Sequence, residues 1–176
     1  MNKSLNKILL IGLLVVALCG ILLLSSCGDD NGVIIDPNAT QNPDSSSLKF
    51  KSGDLEIYIY QEIAQVKATL GEPVSYYESA SCGYTGMDMF YQYKGFELTV
   101  NTIDGKDVVT AIFIADDTVT IPEGLKIGDS EDKIQSLLGS SYEKDGRAYN
   151  FKAGSTLLQI LVKDGAVISI EYKPAN

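Results

Sequence analysis

Apolar positions fall into three patterns along this chain, and each predicts a different element. The first is an unbroken apolar run over residues 8–24. The second recurs at helical spacing: Ile59, Ile63, Val66 and Leu70, then Ile127, Ile134, Leu137 and Leu138. Spacings of three and four place such residues on one side of a helix. Gly71 and Gly139 close these stripes, with Pro73 just beyond the first. Asp129 or Ser130 is a natural N-cap for the second helix, and Glu131 and Asp132 suit its positive end.

The third pattern alternates with period two and predicts strands. Tyr91, Tyr93, Phe96, Leu98, Val100, Ile112 and Ile114 are expected to face the helices. So are Tyr149, Phe151, Leu158, Ile160, Val162, Ile170 and Tyr172. The opposite face then holds Phe90, Gln92, Glu97, Thr99, Phe113, Asn150, Gln159, Leu161 and Glu171. Asp145-Gly146 and Asp164-Gly165 between alternating runs favour two-residue type I′ hairpins. Asp104-Gly105 suggests a slightly longer loop, and Lys94-Gly95 and Ala153-Gly154 mark further hairpins.

The order of signals repeats. Ile59, Val66, Leu70 and Gly71 align with Ile127, Ile134, Leu138 and Gly139 at an offset of 68. Ile112 and Ile114 align with Ile170 and Tyr172 at 58. About ten extra residues near 79–87 account for the difference. The expected class is therefore α+β, with two tandem helix-plus-antiparallel-meander units forming one sheet with the helices on one face. The expected divisions are a signal peptide over 1–26, a lipidated cysteine and flexible linker over 27–47, a first unit over 48–117 and a second over 118–176.

The 17-residue run over 8–24 follows Lys3 and Lys7 and ends in Leu24-Ser25-Ser26-Cys27. A basic start, an apolar middle and small residues at a cut describe a secretory signal. The competing reading is a single transmembrane helix, which takes roughly 20 apolar residues. The terminal tetrapeptide resembles the lipobox of bacterial lipoproteins. That resemblance implies cleavage before Cys27, a diacylglyceryl group on Cys27, and residence on the outer face of the cell membrane. Residues 28–47 are dominated by Asp, Asn, Ser, Pro and Gly and lack the apolar surface to fold alone.

Composition narrows the function. The chain carries 14 basic and 23 acidic residues, for a net charge of −9. Without residues 1–26 the balance is 12 basic against 23 acidic, or −11. Such a charge argues against a nucleic-acid partner. Of three cysteines only Cys82 would remain a thiol, expected as a buried small apolar residue. The chain has no histidine, which removes Ser-His-Asp and Cys-His catalysis and the usual zinc ligand sets. No phosphate loop or dinucleotide fingerprint is present. Asp116-Asp117 reads as a turn after Ile114. No catalytic residue, cofactor or metal site is expected.

The stretch from Gly124-Leu125-Lys126-Ile127-Gly128-Asp129-Ser130 through Ile134 to Leu138-Gly139 resembles a signature of the β-lactamase inhibitor protein (BLIP) family. It is similar also to the small lipoprotein of the outer-membrane β-barrel assembly machinery and to uncharacterised Gram-positive lipoproteins. Near Ile59 the match departs, since Tyr60-Gln61-Glu62 stands where the later stretch has Gly-Asp-Ser. The resemblance implies a BLIP-like fold and no particular activity. The functional expectation is a membrane-anchored binding module for a protein or envelope component. An assembly lipoprotein is the alternative, and an enzyme using carboxylates or Cys82 the third reading.

Overall fold

A computed structural model describes residues 47–175. The expected signal peptide, Cys27 and nearly all of the expected linker lie outside the described residues.

Two short strands open the fold, β1 (Phe50–Ser52) and β2 (Leu55–Ile57), paired as a hairpin. Helix α1 (Ile63–Leu70) follows, then β3 (Ser75–Ala80), β4 (Met87–Tyr93), β5 (Phe96–Ile103) and β6 (Lys106–Ile114). Helix α2 (Glu131–Leu138) precedes β7 (Glu143–Asp145), β8 (Ala148–Ala153), β9 (Thr156–Lys163) and β10 (Ala166–Pro174). Strands β3 to β10 make one antiparallel sheet in the order β3-β4-β5-β6-β10-β9-β8-β7.

This corrects the expected α+β class of two tandem helix-plus-meander units. The described chain is mostly β, with one eight-stranded antiparallel sheet, a separate two-stranded sheet and two helices of eight residues each. The physical reason is how little each helix buries. Only Ile63 and Val66 of α1, and Ile134 of α2, are buried. Ile59 and Ile127, expected inside the helices, precede them, and Leu137 points to solvent at 45% exposure. The sheet supplies most of the core: Leu98, Val100, Ile112, Ile114, Leu158, Ile160, Ile170 and Tyr172 are all fully buried.

The junction of β6 with β10 is short. Only Ile112 with Tyr172 and Phe113 with Glu171 are in register. The earlier part of each strand is occupied by the segment leading into a helix. The Tyr60 amide donates to the Val109 carbonyl at 2.7 Å, and the Val109 amide to Gln61 at 2.9 Å. In the same way the Gly128 amide donates to Val167 and the Val167 amide to Asp129, both at 2.9 Å. Register shifts at Thr99/Val100 and Val167/Ser169 make room for this exchange of partners. Phe50 caps the junction from the hairpin, with its ring 4.9 Å from Phe96 and 6.2 Å from Tyr172.

Turn chemistry agrees with backbone geometry at Asp164-Gly165, where both residues take positive φ (52° and 77°). Asp104-Gly105 does the same (51° and 76°) between paired Ile103 and Lys106, so this loop also has two residues rather than a longer form. Ser130 stands at the N-cap of α2 without a side-chain cap bond. Asp129 acts instead as a clamp. Its carboxylate accepts from Lys133 Nζ at 2.6 Å and from the Lys126 amide at 3.0 Å. Cys82 corrects a further expectation, since it is exposed rather than buried.

Two outcomes follow from this packing. Phe50→Ala removes the ring that spans the junction and is expected to cost about 3–5 kcal/mol, read as a lower urea midpoint. The Lys133 ammonium, and then the Lys126 amide, hold the Asp129 carboxyl below the usual carboxylate range. A lowered folded-state pKa adds stability above the unfolded value of about 3.9, and that stability is lost as pH falls through the folded value. Wild type is therefore expected to exceed Asp129→Asn in stability at about pH 6. The gap should close on acidification below about pH 4, as followed by denaturation at stepped pH.

Candidate functional site

One face of the sheet carries the buried apolar residues, and the other carries the nine positions expected from alternation. Their strand register organises them. Ser75 pairs with Gln92, Gln92 with Glu97, Glu97 with Phe113 and Phe113 with Glu171. Glu171 pairs with Gln159, Gln159 with Asn150 and Asn150 with Glu143. This is one continuous row across all eight strands. Seven interstrand steps of about 4.8 Å give it a length of about 34 Å. Phe90 and Thr99 lie in the adjoining row with Tyr77 and Ala111, and Leu161 sits between Ser169 and Ala148. All nine predicted positions therefore share the face.

The row divides chemically. Toward β7, Gln159 Nε2 donates to Asn150 Oδ1 at 2.9 Å, and Lys173 Nζ donates to Gln159 Oε1 at 2.8 Å and Glu171 Oε2 at 3.2 Å. This is a hydrogen-bonded ladder of amides and ions. Toward β3 the surface is aromatic. Tyr77 stacks on Phe90 with ring centroids 4.6 Å apart, and its hydroxyl donates to Glu97 at 3.3 Å. Desolvation and the nearby Glu97 charge both push the Tyr77 phenol up. Gln92 Nε2 is turned onto the backbone carbonyls of Tyr93 and Phe96 at 3.2 Å each. Phe113, in the middle, is 39% exposed and the rest of the nine are half-buried.

Beyond Thr99 the face closes. Asn101 is fully buried and donates to the Met87 carbonyl at 3.2 Å and to Asp88 Oδ1 at 2.6 Å. Thr110 donates to Asn101 Oδ1. A satisfied buried network of this kind fixes the β4–β6 strands at the bulge. Tyr84, from the loop after β3, lies near Asp88 and Tyr60, and burial pushes its phenol up to about 12.

Sequence reasoning missed Tyr77, Lys173, Glu143 and Ser75. The signal for Tyr77 was present in Ser75-Tyr76-Tyr77-Glu78, where alternation sends one tyrosine to each face. Lys173 and Glu143 sit next to strand ends, where alternation gives the least guidance.

Elsewhere the described residues form a shallow cleft of about 340 Å³ lined by Glu131, Lys144, Arg147, Lys163 and Asp164. Two of its charges, Glu131 and Lys144, are committed to each other. Lys144 Nζ donates to Glu131 at 3.0 Å and to the Tyr149 hydroxyl at 2.6 Å, and Tyr149 donates to Glu131. Hydrogen bonds from Tyr149 and then Lys144 hold the Glu131 carboxyl low. No group of three or more potential metal ligands occurs among the described residues. No helix among them is long and apolar enough to cross a membrane.

No protein-family profile matches the chain, and no curated protein matches it. Two solved structures are similar in fold. One is an extracellular protein containing an SCP domain from Bacillus anthracis strain Ames, at 15% identity and a TM-score of 0.49. That match covers 80% of this chain and 50% of the other, so the chain spans about half the length of that protein. The other is a DUF4309 family protein from Bacillus subtilis subsp. subtilis strain 168, at 15% identity and a TM-score of 0.41, covering 70% of this chain and 84% of that one.

The aromatic end gives a direct test of the face. A double-mutant cycle on Tyr77→Ala and Phe90→Ala is expected to show a coupling of about 0.5–1 kcal/mol in urea denaturation. Additive losses would mean the rings do not stack in solution.

Proposed function

We propose that this chain is an extracytoplasmic, lipid-anchored and non-catalytic binding module. The uncovered face of its sheet holds a protein or envelope component. The observation that carries this reading is the row from Ser75 to Glu143, which crosses all eight strands on one face. A wide face with amides, carboxylates and aromatic rings offers both hydrogen bonds and apolar area to a broad partner. The anchor reading rests on Lys3, Lys7, the apolar run and Leu24-Ser25-Ser26-Cys27. Acylation at Cys27 would give stable membrane attachment, because two chains hold where one binds only marginally. Absence of histidine from the whole sequence supports the non-catalytic part, and the acidic balance disfavours nucleic acid.

Two measurements test this. Cys27→Ala is expected to move the chain from the membrane fraction to the soluble one and to abolish incorporation of labelled palmitate. Retention of label would place the lipid elsewhere. Photo-reactive residues at Phe113 and Gln159 are expected to crosslink the partner on intact cells, whereas one at Leu137, on the helix side, is not. Equal yields from all three positions would show that the sheet face is not the docking surface.

A further inference from the structure

The two edges of the eight-stranded sheet are built differently. Strand β7 is three residues long and every one is charged: Glu143, Lys144 and Asp145. Short, charged edges resist pairing with another chain. Strand β3, at the other edge, has six residues, Ser-Tyr-Tyr-Glu-Ser-Ala, all exposed. It contains neither lysine nor proline, the residues that usually guard an edge. It pairs with β4 on one side through six residues, from Ser75 with Gln92 to Ala80 with Met87. On the other side, alternate N–H and C=O groups point away from the sheet.

We propose that β3 accepts an extended, cationic segment of a partner protein as a ninth strand. This deepens the binding-module reading and rests on it. Strand addition draws affinity from main-chain bonds and specificity from alternate side chains. Here both faces of the edge end in an aromatic ring. Tyr77 stacks on Phe90 on the open face, and Tyr76 lies 4.8 Å from Tyr91 on the other. Tyr76 and Tyr77 are 45% and 50% exposed, so an added strand would lay side chains against each.

Charge selects the occupant. Strand β3 and its paired stretch of β4 carry Glu78 and Asp88 and no basic residue. Glu97, one strand further in, is bonded to Tyr77. Lys67, over the Tyr91 ring, is paired to Glu72 at 3.2 Å. A second copy of this chain would set one acidic edge against another, and like charges in facing strands repel. Lysine or arginine at alternate positions of a foreign strand would share one face, and on the Tyr76 side of the edge they would meet Glu78.

The test uses the full-length chain in a nonionic detergent and three synthetic ten-residue peptides. These are alternating Lys/Val, alternating Glu/Val, and Lys/Val with alternate backbone amides methylated. The Lys/Val peptide is expected to slow hydrogen–deuterium exchange in residues 75–80. It should also bind at least about tenfold tighter than the other two by fluorescence anisotropy. Equal binding by the methylated peptide would overturn the proposal in favour of a merely acidic surface. Absence of binding by Lys/Val would overturn it as well. So would slowed exchange in residues 75–80 that grows with protein concentration without peptide, which marks self-association. Slowed exchange around Phe113 with none at β3 would overturn it while leaving the open-face reading intact.

Discussion

Two register pairs hold the sheet together across its middle. Ile112 with Tyr172 and Phe113 with Glu171 are the two register pairs that join β6 to β10. The seam cannot lengthen, because Val109 and Val167 have already given their backbone groups to the segments that lead into the helices. Its strength comes from side chains instead. Ile112 and Tyr172 are fully buried, Phe50 lies across the joint, and the Tyr172 hydroxyl donates to Glu123 at 2.7 Å. The small β1–β2 hairpin therefore does more than cover a surface. It packs one ring against β5 and β10 together, on both sides of the narrowest point of the sheet.

Much of this was legible in the sequence, and the failures have physical causes. Period-two alternation sorted the strand residues correctly because each face meets a different medium. Asp104-Gly105 and Asp164-Gly165 marked two-residue hairpins because both residues reach positive φ, whereas Asp145 is the last residue of β7, pairs with Ala148 and leaves Gly146-Arg147 as the turn. The helices misled because burial follows position in the fold rather than spacing along the chain. Ile59 is buried from a turn and Leu137 is exposed from a helix. Tyr60 is the most instructive position. The sequence departs there from the Gly-Asp-Ser of the later stretch, yet Tyr60 takes φ 72° where Gly128 takes 87°. Each donates its amide to the last strand of its half of the sheet. A bulky residue in that region is strained by about 1–3 kcal/mol, so tertiary hydrogen bonds decide the conformation against local preference. Strands β1 and β2 were invisible because three residues are too few for a period to register.

The open face shows why alternation finds a surface but not its chemistry. Nine positions were expected there and all nine are present, but their division into a polar ladder and an aromatic end depends on cross-strand neighbours. Gln159 becomes a ladder rung only because Asn150 and Lys173 flank it. Residues on three different strands cannot be seen as neighbours until register is known. The extra residues near 79–87 are spent on length. The β3–β4 hairpin has six pairs where β7–β8 has three, and this leaves the β3 edge long and Cys82 exposed in its loop.

The turn between β8 and β9 holds both ends of the described chain. Ser155 donates its amide to Ser47 Oγ at 3.1 Å and accepts the Ala175 amide at 2.9 Å. A domain whose two termini meet at one residue is topologically closed. It can be spliced into a loop of a host protein, or have residues 47 and 175 linked and a new opening cut at Asp104-Gly105, without stretching the sheet. The β3 edge lies five strands from β9, about 24 Å away, so a join made at residues 47 and 175 leaves that edge clear.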